Sequence, residues 1–201
     1  MAYERKFKIG KPILEVNNIS LSFGGVKAIT DTSFNVLEHE VRAIIGPNGA
    51  GKSSMLNCIN GIYKPQQGTV SFKGQQIENI TPNIMAKMGL SRTFQNLALF
   101  KRMSVLDNIL VGRKLHTKTN FLEVALQLPK VKKEEKANRD RSEEIISFLE
   151  IEDIKDTPVG KLPYGLQKKV ELGRALATDS SIILLDEPMA GMNVEEKRDM
   201  C

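Results

Sequence analysis

The chain has 201 residues, with 29 Lys and Arg against 24 Asp and Glu, and a formal net charge of +5. This length can bury a hydrophobic core and is typical of one domain. No apolar run is long enough to span a membrane, and residues 1 to 8 lack a signal-peptide pattern, so we expect a cytoplasmic protein. The two cysteines, Cys58 and Cys201, disfavour a disulfide framework. Basic and acidic residues are mixed along the chain, so nucleic acid is not the expected partner.

The first patterned region alternates apolar and polar residues, which predicts antiparallel strands from Ile13 onward. Its apolar positions are Leu14, Val16, Ile19, Leu21 and Phe23, followed after Gly24-Gly25 by Phe34 and Val36. Phe23 stands beside two glycines and could offer its ring face to an adenine base. The alternative for Phe23 is an ordinary core residue at a strand end.

Residues 41 to 57 are predicted to form a buried strand, a glycine-rich turn and the start of a helix. Gly46 to Ser53 fits the P-loop pattern G-x-x-x-x-G-K-[ST], whose glycines let backbone N–H groups approach phosphate oxygens. Lys52 would reach the β- and γ-phosphates of a nucleoside triphosphate, and Ser53 would ligate Mg²⁺. A turn without a ligand is disfavoured because the run Val41 to Ile45 and the helix lie where the motif requires them. The predicted nucleotide-binding residues here are Gly46, Pro47, Asn48, Gly49, Ala50, Gly51, Lys52, Ser53 and Ser54.

The middle of the chain predicts two strands and then a helical region. Gly68 to Gly74 is a short strand between turns, and Met88 to Phe94 is a strand that leads into Gln95. An amide at a strand end can hold Mg²⁺ or an attacking water. Residues 104 to 150 are predicted to be helical, beginning with an N-cap at Ser104 and Asp107. His116 has no metal-ligand spacing to other residues, so a surface histidine is favoured.

The last third of the chain carries a glycine at a helix start and two acidic residues after an apolar run. Gly165 would leave backbone N–H groups available to an anion. Ile182 to Leu185 are four aliphatic residues in succession, which predicts a strand buried on both faces of a parallel sheet. Asp186 then lies at the carboxyl end of the strand and would hold Mg²⁺, while Glu187 would polarise the attacking water. The alternative is that the acidic pair caps the next helix.

In this order, the motifs resemble those of the ATP-binding subunits of ABC transporters, from about Ile13 to the end. In addition to the P-loop, the matching segments are Gln95 as the Q-loop, Leu162 to Gln167 as the signature, Ile182 to Glu187 as Walker B, Met189 to Asn193 as the D-loop and Phe23 as the adenine-stacking aromatic. Residues 21 to 29, Arg92 to Asn96, Tyr164 in the signature and residues 190 to 193 most resemble the branched-chain amino-acid importer ATPases. Urea and other amide importers share these segments.

The resemblance implies an α/β P-loop NTPase core with an N-terminal antiparallel β part and an α-helical insertion, in one domain. Its parts would be the core and β part at about 13–95, the helical subdomain at about 96–160, and the signature helix, Walker B strand and D-loop at about 161–201. It implies Mg²⁺-dependent ATP hydrolysis with Lys52, Gln95 and Glu187 as catalytic residues and Ser53, Gln95 and Asp186 around the metal. Tyr164 and Gly165 would contact nucleotide on a second cassette.

The resemblance also implies the protein's partners and its place in the cell. Two cassettes, either copies or paralogues, would pair head to tail on transmembrane permease subunits. A solute-binding protein would act indirectly, nucleic acid is not expected, and the location would be the cytoplasmic face of the membrane.

Three departures from the family pattern leave alternatives open. Pro163 replaces the signature serine and Leu166 a common glutamine, so we expect Gly165 and the helix dipole to be the main signature donors. The chain stops at Cys201, before the switch histidine of the family, and neither His39 nor His116 fits that role. A truncated nucleotide-binding module with little or no turnover is therefore one alternative. A soluble ABC ATPase of DNA repair or translation is another, although no long coiled coil or zinc-hook cysteine pair supports it.

Overall fold

The structure, a computed structural model, describes residues 9–93, 98–117, 119, 123, 126 and 128–200. The chain divides into two compact units, Met1–Met85 and Ala86–Cys201. The first unit contains a four-stranded sheet and the P-loop helix. The second contains a parallel pair of strands and most of the helices.

The sheet of the first unit consists of β1 (Pro12–Phe23), β2 (Val26–Leu37), β3 (Gln67–Phe72) and β4 (Gln75–Gln76). Their order is β2-β1-β3-β4, and every neighbouring pair is antiparallel. The turn between β1 and β2 is Gly24-Gly25, with φ of 49° and 88°. Positive φ at both residues gives a two-residue turn whose twist matches that of the strands. The prediction of antiparallel strands in this region is confirmed.

A bulge in β1 accounts for the spacing of its apolar residues. Leu14 and Val16 occupy even positions and Ile19 and Leu21 odd ones, yet all four are buried. Because side chains alternate along a strand, an extra residue is needed between the two pairs. The register against β2 shifts between Val16 and Ile19, and Asn18 has a φ of 50°. The bulge therefore keeps one apolar face on the core.

Helix α1 (Lys52–Ile59) follows the P-loop and packs through Met55, Cys58 and Ile59, which are buried. The chain turns away at Gly61, two residues after the end of α1, where φ is 78° and a Cβ would lie 2.7 Å from the Thr81 nitrogen. Glycine is required at this position because an L side chain would be strained there and would collide with backbone.

The predicted buried strand at Val41 to Ile45 is wrong. These residues do not form a strand, and the four-stranded sheet of the first unit does not include them. Val41 is 100% and Ile45 89% exposed, and Ile44 is also exposed. The physical reason is that the segment has no neighbour in that sheet to form a hydrogen-bonded ladder, so its apolar residues gain no buried face. A cavity of about 470 Å³ lies between β2, residues 42 to 45 and the start of α1.

The second unit contains the parallel pair β5 (Leu90–Arg92) and β6 (Ile182–Leu184). The strand predicted from Met88 to Phe94 is therefore shorter: Met88 ends α2 (Pro82–Met88), and Phe94 lies outside the described residues.

Burial of both faces of β6 is wrong as well, because Leu185 is 43% exposed. Within the described part of the chain, β6 has one neighbouring strand, β5. Because β6 ends at Leu184, the ladder between them does not reach Leu185.

The remaining helices are α3 (Val105–Gly112), α4 (Pro129–Phe148), α5 (Tyr164–Leu176) and α6 (Val194–Met200), with 3₁₀ turns at Arg113–His116, Glu152–Ile154 and Val159–Lys161. Their core is formed by apolar residues of α3, α4 and α5 and the segments between them: Val105, Leu106, Ile109, Ile145, Ile146, Leu149, Ile151, Val159, Leu162, Val170 and Ala177. The predicted N-cap of α3 is confirmed, since Ser104 Oγ accepts a hydrogen bond from Asp107 N at 3.1 Å.

Candidate functional site

The P-loop has the backbone geometry that phosphate binding requires. Gly49 and Gly51 have φ of 83° and 82°, and Gly51 is the N-cap of α1. A Cβ on Gly51 would lie 2.3 Å from the Ala28 carbonyl oxygen, so the close approach of loop and β2 requires glycine. The first turn of α1 contains no acidic residue, and the N-cap makes no side-chain hydrogen bond. The backbone N–H groups at the start of α1 can therefore donate hydrogen bonds to an anion.

Lys52 lies against the loop that it follows. Its Nζ donates hydrogen bonds to the carbonyl oxygens of Gly46 at 2.8 Å and Pro47 at 2.9 Å. Ala50 N donates to the same Pro47 oxygen at 3.2 Å, which closes the turn around Asn48 and Gly49. An ammonium group is thus placed inside the concavity of the loop, where a phosphate would be met by opposite charge.

Phe23 ends β1 immediately before the glycine turn and is 45% exposed. Its ring lies edge to face against Tyr63, with centroids 5.1 Å apart and an interplanar angle of 74°. Sequence reasoning missed Tyr63, which follows the end of α1 without any aromatic pattern. This T-shaped arrangement is one of the favoured aromatic geometries, and it holds the Phe23 ring against Tyr63.

Asp186 forms a buried ion pair that the sequence did not predict. Arg92 Nη2 donates to Asp186 Oδ2 at 2.9 Å, and the two side chains are 7% and 5% exposed. The parallel ladder explains the contact: Arg92 pairs with Leu184, and Thr93 N donates to the Leu184 oxygen at 3.0 Å. Both strands thus end at the same edge, and the ends carry Arg92 and Asp186.

Glu187 differs from its neighbour in exposure and backbone. It is exposed and has a φ of 48°, and its carbonyl oxygen accepts a hydrogen bond from Ala190 N at 3.0 Å. A left-handed φ is unusual for glutamate and turns the chain sharply after Asp186. Gln95, the other residue predicted at this end of β5, lies outside the described residues.

The signature segment places Tyr164 and Gly165 at the start of α5, with Pro163 as its N-cap. Gly165 N donates to Glu196 Oε1 at 3.1 Å. Glu196 Oε2 also accepts from Asn193 N at 2.9 Å, and Asn193 Oδ1 accepts from Glu196 N at 2.9 Å. Sequence reasoning missed Glu196, although the spacing Asn193-x-x-Glu196 is that of a capping box.

Within the described residues, no cluster of three or more His, Cys, Asp or Glu could hold a metal ion. This finding is compatible with Mg²⁺, which is usually held by one or two carboxylates together with substrate phosphates. No helix in the described part of the chain combines the length and apolar character needed to cross a membrane.

Comparison with known proteins connects these features. A family model described as ABC transporter matches residues 29–190. The chain belongs to the ABC transporter family. The high-affinity branched-chain amino acid transport ATP-binding protein BraF of Pseudomonas aeruginosa is 35% identical over 192 residues, which are 96% of this chain and 75% of that protein. LivG of Escherichia coli, of the same description, is 33% identical with the same coverage of both chains.

Solved structures agree with the family assignment. The ADP conformation of an ATP-binding cassette of an ABC transporter has a TM-score of 0.78 and 36% identity, covering 94% of this chain and 74% of that one. A nucleotide-free ATP-binding cassette has a TM-score of 0.77 and 35% identity, with the same coverage. The predicted fold, the resemblance to ABC transporter subunits and the prediction of an ATPase are confirmed.

Proposed function

We propose that this cassette binds and hydrolyses ATP to power an importer of branched-chain amino acids. The P-loop carries the first part of the proposal. Its two left-handed glycines and the ammonium of Lys52 form a concave, positively charged turn at a helix start. Nothing lies within 4 Å of a Cβ added at Gly49, so there is open space beside the loop. These features fit a phosphate chain.

In the proposed reaction each residue has a role that follows from its chemistry. Backbone N–H groups of Asn48 to Ser54 hold the β- and γ-phosphates, and Gly46 and Pro47 shape the turn. Lys52 exchanges its carbonyl contacts for phosphate oxygens. Ser53, Gln95 and Asp186 are the residues that would hold Mg²⁺. When bound, Mg²⁺ offsets negative charge on the phosphates. Glu187 orients and polarises the attacking water, for which an exposed carboxylate is suited.

Two further contacts belong to the proposal. The ring of Phe23 stacks on adenine, with Tyr63 packed against it. Tyr164 and Gly165 meet nucleotide on a second cassette, either a copy or a paralogue, in a head-to-tail pair. That contact requires Gly165 N to exchange Glu196 for a phosphate oxygen.

The substrate class rests on the relatives. BraF and LivG, which match 96% of this chain, are both described as branched-chain amino acid transport ATP-binding proteins. We propose that the cassette acts at the cytoplasmic face of the membrane on transmembrane permease subunits, with a solute-binding protein delivering the amino acid to them.

The test of nucleotide binding uses titration calorimetry with ATP and Mg²⁺. We expect binding by the unaltered chain and a loss of about tenfold or more in affinity in Lys52→Ala, because a hydrogen bond to a charged group contributes about 1.5–3 kcal/mol and about 1.4 kcal/mol is a factor of ten. Lys133→Met, which removes an exposed lysine of α4, is the matched control and should bind normally. Equal affinity in all three proteins would refute the assigned role of the P-loop.

The test of substrate class measures uptake by cells that carry the cassette with its permease subunits. Uptake of labelled leucine, isoleucine and valine should be lost in Glu187→Gln, which removes the carboxylate but keeps its size. Uptake of urea in place of these amino acids would assign the cassette to an amide importer.

A further inference from the structure

The start of α5 is covered by a carboxylate from the same chain. Gly165 N donates to Glu196 Oε1 at 3.1 Å. A Cβ on Gly165 would lie 2.6 Å from that oxygen and 2.7 Å from Glu196 Cδ, so the carboxylate lies directly against the glycine. The N–H group that the proposed function assigns to nucleotide on a second cassette is therefore already occupied.

A carboxylate at this place has the chemistry of a phosphate oxygen. Both are anionic acceptors for backbone N–H groups, and both are stabilised by the positive end of a helix dipole. The first turn of α5 contains no acidic residue, and its N-cap, Pro163, makes no side-chain hydrogen bond. Glu196 thus supplies the negative charge that this helix start lacks. Because a backbone N–H is a single donor, a phosphate oxygen that approaches Gly165 N must displace Glu196 Oε1.

The segment 191–196 contacts both signature residues that the proposed function places at the second cassette. Gly191 has a φ of 78°, and a Cβ there would lie 3.2 Å from Cε1 of Tyr164. The turn after β6 therefore lies against the ring of Tyr164, while α6 places Glu196 on Gly165. In the single chain, this segment holds the position that the second cassette would take.

The Glu196 side chain can leave Gly165 without unfolding α6. Its other oxygen, Oε2, accepts from Asn193 N at 2.9 Å, and Asn193 Oδ1 accepts from Glu196 N at 2.9 Å. These two bonds form the capping box of α6, and neither involves Gly165. Displacement of Oε1 therefore costs one charge-assisted hydrogen bond and leaves the start of α6 intact.

We propose that Glu196 is an autoinhibitory residue, which occupies Gly165 N until nucleotide bound to a second cassette displaces it. Pairing of two cassettes then requires a higher ATP concentration than it would with a free helix start, and hydrolysis is slow at low ATP. This inference rests on the proposed function, specifically on Gly165 meeting nucleotide on a second cassette.

The test measures the ATP concentration that gives half-maximal phosphate release by the cassette assembled with its permease subunits. Glu196→Gln removes the charge, and glutamine keeps the capping box. We expect the concentration to fall by about threefold or more, because a hydrogen bond to a charged acceptor is about twice as strong as one to a neutral acceptor. Glu195→Gln, which removes the same charge from the neighbouring exposed position of α6, is the matched control and should behave like the unaltered chain.

Glu196→Ala is the second variant, since it removes the acceptor as well as the charge, and circular dichroism monitors the folding of each protein. A half-maximal concentration equal to or above that of the unaltered chain in the folded Glu196 variants would overturn the inference. An equal fall in Glu195→Gln would overturn it too, because the effect would then belong to the net charge of α6. Loss of folding in both Glu196 variants would make this residue a structural anchor and would also overturn it.

Titration calorimetry of ATP binding by the separate chain distinguishes this inference from the proposed function. The unaltered chain and Glu196→Gln should bind ATP equally, because the P-loop belongs to the other unit and Glu196 contacts α5. If the unaltered chain binds no ATP, or its assembly releases no phosphate, the proposed function fails and this inference fails with it. If both activities are present and the Glu196 variants leave the half-maximal concentration unchanged, only the role of Glu196 is lost.

Discussion

Replacing Gly51 by alanine should lower the free energy of unfolding in two ways, through backbone strain and through a steric clash. Gly51 has a φ of 82°, a conformation that costs an L residue about 1–2 kcal/mol. The new Cβ would also lie 2.3 Å from the Ala28 oxygen and 3.4 Å from its carbonyl carbon. Overpacking of this kind costs about 1–3 kcal/mol. Reduced entropy of the unfolded chain returns about 0.4–1 kcal/mol.

Gly49 is the matched control because it shares the first cost without the second. Its φ is 83°, and nothing lies within 4 Å of an added Cβ. Gly49→Ala should therefore lose about 0–1.6 kcal/mol of unfolding free energy, and Gly51→Ala about 1–3 kcal/mol more than that. Urea denaturation followed by far-ultraviolet circular dichroism measures both. Equal losses in the two variants would refute the steric reasoning.

Three further predictions concern α1, α3 and α5. Burial raises the pKa of the Cys58 thiol to about 11, above its ordinary 9.0, so the stability contributed by the neutral thiol is present below pH 9 and is lost as the pH rises to 11. Between pH 9 and 11 the free energy of unfolding, from denaturation midpoints, should fall by about 2–3 kcal/mol more in the unaltered chain than in Cys58→Ala. Parallel plots of stability against pH for the two proteins would disprove this role of the Cys58 thiol. Ser104→Ala should cost about 1 kcal/mol by removing the N-cap of α3, a loss that Ser104→Thr should largely avoid in the same assay. Pro163→Ser should raise ATP turnover relative to Pro163→Ala, because only serine adds a hydroxyl at the start of α5; phosphate release at the same rate in both would count against it.

The sequence predicted those parts of the fold whose signals are local. The alternation from Ile13 onward predicts antiparallel strands, and the Gly24-Gly25 turn between them has positive φ at both residues. Ser104 stands at the start of α3 for an equally local reason. In each case a few neighbouring residues determine the local geometry, so it can be predicted without knowing any distant contact.

The failures concern contacts between distant residues. The run Val41 to Ile45 has strong β-propensity, but a strand needs a partner, and the sheet of its unit provides none. Arg92 and Asp186 meet across the ladder although 94 residues separate them. The bond from Gly165 N to Glu196 likewise depends on how the segment after β6 turns back to α5. No periodicity in the chain records such pairings.

Phosphate release from ATP by the cassette assembled with its permease subunits tests the central proposal most directly. Glu187→Gln serves as the comparison, since it should bind ATP as well as the unaltered chain does. We expect hydrolysis by the unaltered chain and a drop of at least a hundredfold in Glu187→Gln, the lower range for a general base. ATP binding without phosphate release in the unaltered assembly would contradict the proposal and leave a nucleotide-binding module.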